Sequence, residues 1–372
     1  MDEPIRLWRA PDAPDWRQAR IDRDSYASHE RLAAELERVF GAHWLLAGRL
    51  DQLRAVGDYC TFEIGGESLL LVNAGEPGIR AYHNVCRHRG RRVVDEGSAG
   101  QVRSFRCPYH SWTYGLDGHL RAVADVETFP GLDMAGCGLR PVPVATWQEL
   151  VFVSFAANGP PLLAYLDVLP DCLAHAFTPA VLVTERVYDL AANWKTALEA
   201  FIETNHIASL HPQVARSLEW SGTAVAHFAR HSMTAVPAAR ARDWAARRRG
   251  DWRAWIADPA YVEYHYSIFP NVSIHVFLWG LTFLFRALPH PTDPQRCRLD
   301  VWAWKRLAPG ETPPAKRSMP DAMLGVLEQD YANIPHVQRG VASRGFAGPI
   351  LGPAESRIGH LHAVLQQVLA PR

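Results

Sequence analysis

The sequence predicts an α+β protein in which a small antiparallel β domain is followed by a larger domain of helices and antiparallel strands. From about Trp44 to Phe155, short alternating segments are separated by turn sequences, as in YCTFEI followed by GGE, which is typical of β-hairpins. Farther along the chain, helical patterns flank an aromatic-rich, strand-like run between about Val262 and Lys305. Because strands and helices do not alternate regularly, a parallel sheet is not expected.

These patterns divide the 372-residue chain into three segments. Residues 1–43 are expected to form a helical segment that packs on the larger domain. Residues 44–157 form the predicted β domain, which ends near the sequence AANGPPLL, and residues 158–372 form the larger domain. Its helical patterns cover about residues 193–208, 240–257, 320–334 and 354–369.

The composition argues against several kinds of partner. The 39 Lys and Arg residues balance 39 Asp and Glu residues, so no net charge attracts nucleic acid or an anionic membrane. The N-terminal stretch MDEPIRLWRAPDAPDW lacks the basic end and apolar run of a secretory peptide, and no later window has about 18 uninterrupted apolar residues. We therefore expect a cytoplasmic protein that binds neither nucleic acid nor membranes.

Two mixed pairs of potential metal ligands lie in the β domain. Cys86 and His88 form the first pair, and Cys107 and His110 form the second. Six cysteines are too few for a disulfide scaffold, so such pairing indicates a metal more often than a disulfide. Zinc fingers accept these residue types but usually pair Cys with Cys and His with His. A 2Fe–2S centre of Rieske type needs two Cys on one iron and two His on the other, so each loop can serve both irons. The third interpretation is that these four side chains bind no metal and only pack in the domain.

The segment NWKTALEAFIETNHIASLHP predicts a helix that carries ionisable residues. Asn193 is a suitable N-cap, and Glu199, Glu203 and His206 fall at spacings that would align them on one helical face. A separate apolar face comprises Trp194, Ala197, Leu198, Phe201 and Ile202.

His211 follows five residues after His206, a spacing that would turn the two rings apart on a continuous helix. Both rings can reach one metal only if the helix breaks between them. Pro212 favours that break because it disfavours the α conformation at His211. Two histidines of this kind still need an oxygen ligand to complete the 2-His-1-carboxylate set of non-haem iron.

Asp330 is the candidate oxygen ligand. It falls in the middle of an apolar helical face formed by Met323, Leu327 and Ile334, whereas Asp321 and Glu328 point to the opposite side. A carboxylate on a buried face is unfavourable unless it is paired or bound to metal. The alternative to a metal ligand is an ion pair with an arginine such as Arg339.

Several of these motifs resemble a known family. CRHRG and CPYHSW resemble the Rieske motif, and NWK...E...E..H....H, EQDYANIPHVQRG and SRGFAGP resemble the catalytic domain of Rieske non-haem iron oxygenases. The chain is thus similar, from roughly Trp44 to its C-terminus, to the terminal oxygenase (alpha) subunit of the aromatic-ring-hydroxylating dioxygenases. The resemblance implies an N-terminal antiparallel β Rieske domain and a C-terminal helix-grip (START-like) catalytic domain with a long antiparallel sheet.

The resemblance also implies the ligands of two iron centres. A 2Fe–2S Rieske cluster would be bound by two inner ligands, Cys86 and Cys107, and two outer ligands, His88 and His110. A mononuclear Fe(II) would be held by His206, His211 and Asp330.

The activity implied is that of a terminal oxygenase, which uses O₂ to hydroxylate or dihydroxylate a small organic, most often aromatic, substrate. The sequence has no G-x-G-x-x-G opening a helix and no second Cys-rich cluster, so electrons from NAD(P)H would come through a separate reductase, directly or through a ferredoxin. In this family the cluster of one subunit serves the iron of its neighbour in a head-to-tail homotrimer. An acidic residue three positions before the first His, here Glu203, bridges the subunits.

Glu203 stands where aromatic-ring dioxygenases usually carry Asp. A Glu at this position is similar to the subgroup that oxidises quaternary ammonium compounds such as carnitine and glycine betaine, so a monooxygenase that demethylates or cleaves such a substrate is the alternative. Glu and Asp could equally be interchangeable at this position. An electron-transfer Rieske protein with a passive second domain and a zinc-stabilised binding protein remain as functions of other classes.

The run SIHVFLWGLTFLFRAL contains an aromatic stripe. If the run is extended, one side presents Phe277, Trp279, Leu281, Phe283 and Phe285. We expect much of this stripe to be sheet core, because aromatic stripes on strands usually are. A substrate pocket wall is the alternative, and Gly280 could interrupt the strand.

Overall fold

The computed structural model describes residues 5–76, 78–174, 176–177, 179–241, 244, 252–256, 260–308, 310–312 and 321–371, apart from the side chains of residues 221, 321 and 322. This part of the chain forms two compact units. Residues 40–165 make up one unit, and the residues up to Val39 together with those from Leu166 onward make up the other.

The strands of the described chain are β1 (Arg6–Arg9), β2 (Trp44–Arg49), β3 (Asp58–Ile64), β4 (Glu67–Asn73), β5 (Ile79–His83), β6 (Ala99–Gln101), β7 (Phe105–Arg106), β8 (Thr113–Tyr114), β9 (Leu120–Ala122), β10 (Pro141–Val142), β11 (Val144–Trp147), β12 (Leu150–Ser154), β13 (Ala180–Leu190), β14 (Ala224–His227), β15 (Ser232–Pro237), β16 (Val262–Ile268), β17 (Val272–Val276), β18 (Leu281–Pro289) and β19 (Cys297–Arg306).

The α-helices are α1 (Asp24–Ala27), α2 (His29–Glu35), α3 (Leu162–Leu166), α4 (Leu169–Cys172), α5 (Trp194–Glu199), α6 (Ile207–Leu210), α7 (Pro212–Ala215), α8 (Trp252–Trp255), α9 (Asp321–Val341) and α10 (Ser356–Leu369). A π-helical turn covers Leu36–Phe40. Within the described residues, no helix is both long enough and apolar enough to cross a membrane.

The smaller unit is built from three antiparallel sheets, in the orders β10-β5-β4-β3-β6, β11-β12-β2 and β7-β8-β9. Strands β3 and β4 form a hairpin across Gly65 and Gly66, both of which have positive φ, as the predicted GG turn requires. The central strand β4 is buried over its middle residues, and its Leu70 and Val72 pack with the aromatic residues Trp112 and Tyr114. The prediction of a small antiparallel β domain is therefore confirmed.

The larger unit contains an eight-stranded sheet in the order β1-β14-β15-β16-β17-β18-β19-β13. Its neighbouring strands run antiparallel, except that β1 pairs with β14 in parallel. Helix α5 packs on β18 and β19, and the largely buried α10 packs on β14 and β15. The α+β prediction is confirmed.

The N-terminal segment is only partly helical. Its residues Arg6–Arg9 join the sheet as β1, which the sequence did not predict. A four-residue strand with alternating exposure provides too short a pattern for recognition, and its place is set by the partner strand β14.

Two of the predicted helices form close to where the sequence places them. Helix α9 continues beyond the predicted end at residue 334, because Pro335 lies inside it without ending it. Helix α10 agrees with the pattern at residues 354–369. The pattern at residues 240–257 lies largely outside the described residues. The described residues near it form a 3-10 turn at Ala239–Ala241 and helix α8.

The predicted helix at residues 193–208 is wrong in its second half. Helix α5 begins after the N-cap Asn193, whose side chain accepts a hydrogen bond from the Lys195 backbone, but it ends at Glu199. The carbonyl of Phe201 instead accepts hydrogen bonds from Ser273 Oγ at 3.0 Å and His275 Nε2 at 2.7 Å. These bonds to the sheet replace the helical bond that the local pattern would have made.

The aromatic run is a hairpin and not one extended strand. Residues 277–280 form the turn between β17 and β18, with Gly280 at φ +82°. The alternative that Gly280 interrupts the strand is therefore confirmed.

Candidate metal centres

The first candidate ligand loop follows β5 and is closed by backbone hydrogen bonds around Cys86. The carbonyl of Cys86 accepts from Gly90 N at 2.9 Å, and its amide donates to the carbonyl of Arg91 at 2.8 Å. Gly90 has φ +75°, a conformation that favours glycine.

The second candidate loop follows β7 and repeats the same frame around Cys107. Its carbonyl accepts from Ser111 N at 3.0 Å, and its amide donates to the carbonyl of Trp112 at 2.8 Å. Ser111 occupies the position of Gly90 and also has positive φ, at 61°. The two loops therefore present their cysteines in equivalent turns, although the histidine comes two residues after Cys86 and three after Cys107.

The four side chains of these loops have the burial expected of inner and outer ligands. Cys86 and Cys107 are each 2% exposed, whereas His88 and His110 are only partly buried. Burial raises the pKa of Cys86, and the hydroxyl of Tyr114 contacts its sulfur at 3.2 Å. The rings of His88 and His110 lie 4.5 Å apart.

The histidine nitrogens of these loops fit a metal cluster. Nδ1 of His88 and Nδ1 of His110 are both buried and have no hydrogen-bond partner among the described residues. A buried polar atom without a partner is unfavourable, and a metal bond would satisfy each of these nitrogens. Burial, followed by the charges of His110 and Arg89, lowers the pKa of His88, which favours the neutral imidazole that metals bind.

The arrangement argues against a single zinc ion at these loops. A tetrahedral zinc site gathers its ligand atoms around one point. In the described part of the chain, the group of three metal-competent atoms that lie close together is formed by His206, His211 and Asp330, within 4.8 Å of one another, and not by the cysteine loops. A two-iron cluster spreads its ligands over two metals, and two Cys and two His are the set that it requires.

The second candidate centre is anchored by a buried ionic cluster at the start of α5. Lys195 Nζ donates to both carboxylate oxygens of Glu35 at 2.7 and 2.8 Å, and Trp194 Nε1 donates to Glu35 Oε2 at 2.8 Å. Both charged side chains are fully buried. This contact fixes the helix that leads into the candidate ligands.

Glu199 does not line up with the candidate ligands, and that prediction is wrong. Its carboxylate accepts from the hydroxyl of Tyr26 at 3.0 Å and contacts His362 Nε2 at 2.7 Å. Because α5 ends at Glu199, the helical spacing that would have placed it beside Glu203 does not apply. Glu199 belongs to a structural contact with the N-terminal segment and α10.

His206 and His211 converge as the predicted break at Pro212 requires. Helix α6 ends before His211, which has φ −124° and ψ 54°, and α7 begins at Pro212. Asp330 Oδ1 lies 2.8 Å from His211 Nε2 and 3.6 Å from His206 Nε2. The three residues are brought together on one side by α9 and on the other by the broken helix.

Each histidine is oriented by a contact at its other ring nitrogen. Nδ1 of His206 contacts the carboxylate of Glu203, which also accepts from the backbone amides of Asn205 and His206. Nδ1 of His211 contacts Gln329 Oε1 at 2.8 Å. Both rings thus direct Nε2 to the same point, and the carboxylate and amide oxygen favour protonation at Nδ1, which leaves Nε2 free to bind a metal.

The pKa of His211 reflects two opposing effects. Burial lowers it, but the hydrogen bonds with Asp330 and Gln329 and the nearby carboxylates outweigh burial and raise the pKa above its ordinary value. A cation at this point is therefore favoured by the surrounding acceptors, whether it is a proton or a metal ion.

Asp330 is buried, at 5% exposure, on the inner face of α9 with Met323, Leu327 and Ile334. The alternative of an ion pair with Arg339 is wrong, because the guanidinium of Arg339 contacts His336 Nδ1 at 2.7 Å. The chemistry of the set, two imidazoles and one carboxylate, is that of non-haem iron sites with open positions for O₂.

A cavity lined mostly by apolar side chains adjoins these three residues. One of its walls is the sheet, and the other includes Met323, Val326 and Leu327 of α9. The expectation that much of the aromatic stripe is sheet core holds for Phe283 and Phe285, which are buried on β18, and these two residues also line the cavity. Phe277 and Trp279 lie in the hairpin turn at residues 277–280 and line the cavity as well, so the pocket-wall alternative applies to them.

Sequence reasoning missed Gln329 and the polar residues of the cavity wall. Gln329 precedes Asp330 and carries no periodic signal, because adjacent helical residues point in different directions. Glu263, His265 and His275 also line the cavity, within strands that read as ordinary sheet core. His265 and His275 fall on one face only through the register of β16 and β17, which local sequence does not reveal.

Replacing Gln329 with leucine is expected to weaken iron binding at the mononuclear site by about tenfold to a hundredfold, because His211 loses the contact that orients its ring. Titration of the iron-depleted protein with Fe(II) under anaerobic conditions measures the change. Gln367→Leu, at an exposed position of α10, is the control and should leave the affinity unchanged. Equal iron affinity in the Gln329 variant and the parent protein would contradict the orienting role.

Two family models match the chain. The model for the Ring hydroxylating alpha subunit (catalytic domain) matches residues 178–370, which is more than half of the chain. The model for the Rieske [2Fe-2S] domain matches residues 43–136. The two matches imply a Rieske cluster and a mononuclear iron, and both sets of side chains described above have the chemistry to hold them.

Individual proteins give a consistent comparison. The chain is 34% identical over 197 residues to the glycine betaine monooxygenase oxygenase subunit of Pseudomonas aeruginosa, covering 52% of this chain and 46% of that protein. It is 34% identical over 210 residues to the chlorobenzene dioxygenase subunit alpha of a Cupriavidus species, covering 53% and 46%. The chain thus spans about half the length of these curated relatives.

A solved structure shows the same fold. A quaternary ammonium Rieske monooxygenase superimposes with a TM-score of 0.80 over 96% of both chains, at 19% sequence identity. At this level of identity the likeness establishes the fold alone, and it confirms the predicted combination of a Rieske domain with an α+β catalytic domain.

Proposed function

Since the chain belongs to the ring-hydroxylating alpha subunit family, we propose that it is the terminal oxygenase component of a Rieske non-haem iron oxygenase. It would use O₂ and electrons from a reductase to hydroxylate or dihydroxylate a small organic substrate. Monohydroxylation consumes O₂, two electrons and two protons, and it places one oxygen atom in the product and the other in water. Dihydroxylation uses the same electrons and protons and places both oxygen atoms in the product.

We assign the two iron centres to the residues described above. The 2Fe–2S cluster would be held by Cys86, His88, Cys107 and His110, and the mononuclear Fe(II) would be held by His206, His211 and Asp330. When bound, the cluster supplies electrons and the mononuclear iron activates O₂. The protein's own contribution is to orient the imidazoles through Glu203 and Gln329 and to hold the substrate in the adjoining cavity.

The observation that carries this proposal is the meeting of His206, His211 and Asp330 beside a cavity lined mostly by apolar side chains. An electron-transfer protein with a passive second domain would need neither this ligand set nor the cavity. A zinc-stabilised binding protein would leave the inner cysteines and outer histidines of the Rieske loops unexplained.

The domain and partner assignments follow from the family. We propose that residues 44–157 form the Rieske domain, and that residues 158–372 form the catalytic domain on which residues 1–43 pack. The active form would be a homotrimer in which Glu203 forms the bridge between subunits. Electrons from NAD(P)H would arrive through a separate reductase, directly or through a ferredoxin.

A second candidate is a monooxygenase that demethylates or cleaves a quaternary ammonium compound. It is favoured by Glu203, which stands where aromatic-ring dioxygenases usually carry Asp, and by the glycine betaine monooxygenase among the relatives. The aromatic rings in the cavity accommodate either an aromatic ring or a trimethylammonium group.

A single-turnover assay tests the proposed function. The chemically reduced protein, loaded with both kinds of iron, is mixed with ¹⁸O₂ and with panels of aromatic acids, aromatic hydrocarbons and quaternary ammonium compounds. Mass spectrometry is expected to find one compound class that gains ¹⁸O or loses a methyl group as formaldehyde. Reoxidation of the cluster without any oxidised organic product would contradict an oxygenase function.

A further inference from the structure

Glu263 is a buried acid in the wall of the cavity. It lies on β16, is 1% exposed, and its Oε1 accepts a hydrogen bond from Trp279 Nε1 at 2.7 Å. Trp279 is 46% exposed, so this part of the cavity lies near the surface. Glu263 is outside both proposed iron centres and has no part in the oxygenase chemistry described above.

Among the described residues, Arg306 is the cation whose charge acts on Glu263, and the two side chains form no ion pair. The guanidinium of Arg306 donates to the carbonyls of Phe277 and Leu281 and to the hydroxyl of Thr282, at 2.5 to 3.2 Å. Burial raises the pKa of Glu263 to about 7, although the Trp279 hydrogen bond and Arg306 act in the opposite direction. A buried carboxylate is unfavourable unless it is paired, and Glu263 has hydrogen bonds from Trp279 and from the Leu278 backbone but no ion pair with a described cation.

Aromatic rings surround the same part of the cavity. The rings of Phe277 and Trp279 lie 5.4 Å apart, and those of Phe277 and Phe283 lie 5.5 Å apart at an angle of 88°. All three residues line the cavity together with Glu263. Ring faces attract organic cations, and the attraction is stronger when the cation is desolvated.

The charged residues that line the cavity also favour a cationic ligand. Among the described residues that line the cavity, the acids are Glu203, Glu263 and Asp330, and none is Lys or Arg. Glu203 and Asp330 are engaged with His206 and His211, which leaves Glu263 as the acid available to a ligand. A carboxylate on a substrate would find no Lys or Arg among these described lining residues and would face this buried acid.

We propose that Glu263, with the rings of Phe277, Trp279 and Phe283, binds a positively charged organic nitrogen of the substrate, and that the cavity discriminates against substrates that carry a carboxylate. This inference rests on the proposed function, since it takes the cavity to be the oxygenase's substrate site. It makes Glu263 the specificity-determining residue. The preferred substrate is therefore an ammonium compound with net positive charge, and not an aromatic acid or a zwitterion.

The proposal has a pH signature. A bound cation favours the ionised carboxyl, so binding below about pH 7 must displace a proton from Glu263 and is weakened. Affinity should rise as the pH increases through 7 and level off above it. His265 and His275 also face the cavity, but burial lowers the pKa of His265 well below its ordinary value and that of His275 to about 3, so neither titrates in this range. Arg306 stays charged throughout it.

Calorimetric titration of the iron-loaded protein without O₂ tests the proposal, because binding is then measured apart from turnover. The probes are tetramethylammonium, choline, its neutral isostere 3,3-dimethyl-1-butanol, and the zwitterion glycine betaine. Choline is expected to bind at least about tenfold more tightly than the neutral isostere and the zwitterion. This preference should decrease as the pH falls from 8 to 6.

Glu263→Gln keeps the size of the side chain and an acceptor for Trp279, so it should fold. It is expected to reduce choline affinity by about tenfold or more, to leave the affinity for the neutral isostere unchanged, and to abolish the pH dependence. Glu328→Gln, an exposed position on α9, is the matched control and should change none of these values. Trp279→Leu should weaken choline binding and shift its pH dependence to higher pH, because the variant also loses the hydrogen bond that lowers the pKa of Glu263.

Several outcomes would overturn the inference. These are equal binding of choline and its neutral isostere, equal binding of glycine betaine and choline, no binding of either cation, or Glu263→Gln binding choline as well as the parent protein. Oxygenation of a neutral aromatic compound with a KM unaffected by Glu263→Gln would also overturn it and leave the oxygenase function intact. Glu263-dependent choline binding without oxidation of any substrate would instead contradict the proposed function and still support the cation-binding role of Glu263.

Discussion

Replacing Asp330 with alanine is expected to abolish product formation and to remove the mononuclear iron, while the spectrum of the Rieske cluster stays unchanged. The variant would leave His206 and His211 without the carboxylate that completes the proposed ligand set. The loss of turnover should be at least about a thousandfold, which corresponds to about 4 kcal/mol of transition-state stabilisation. Iron analysis, the visible spectrum and single-turnover product yield measure the three effects.

Glu328→Ala is the control for this variant. Glu328 lies on α9 two residues before Asp330 but is exposed. It should keep both the iron and the activity, which shows that the effect of Asp330→Ala does not arise from a weakened helix. Full turnover by the Asp330 variant would contradict the proposal that His206, His211 and Asp330 together bind the catalytic iron.

The second large effect is expected at Glu203. Its carboxylate contacts His206 Nδ1, so it is placed to pass an electron or a proton toward the proposed iron ligand. Glu203→Gln should keep both iron centres and lower turnover by about a hundredfold, which corresponds to about 2.7 kcal/mol. The rate at which O₂ and substrate reoxidise the reduced cluster, followed by its absorbance, measures the effect.

Glu203→Asp tests whether the carboxylate group or the length of the side chain is required at this position. It restores the acid that aromatic-ring dioxygenases usually carry, and it should recover most of the reoxidation rate that the Gln variant loses. Unchanged reoxidation in Glu203→Gln would exclude Glu203 from the electron path. Loss of the mononuclear iron in that variant would show that Glu203 acts only by orienting His206.

The sequence predicted the candidate ligands because their signals are local. The cysteine loops are short motifs, the helix break is encoded by Pro212, and Asp330 stands out as an acid on an apolar helical face. The structure brings His206, His211 and Asp330 together as those signals require.

Features that depend on distant contacts could not be predicted in this way. Beyond the end of α5, the Phe201 carbonyl bonds Ser273 and His275, and that contact spans more than 70 residues of chain. The predicted alignment of Glu199 with Glu203 is wrong because α5 ends at Glu199. Gln329 and Glu263 acquire their significance from what the folded chain sets beside them, namely His211 and Trp279.

The metal and sulfide content of the purified protein tests the central claim that one chain carries two different iron centres. A 2Fe–2S cluster and one mononuclear iron together predict three iron atoms and two acid-labile sulfides per chain, with a Rieske signal in the electron paramagnetic resonance spectrum of the reduced protein. Zinc in place of iron, with no sulfide and no Rieske signal, would contradict the assignment of both centres and with it the proposed function.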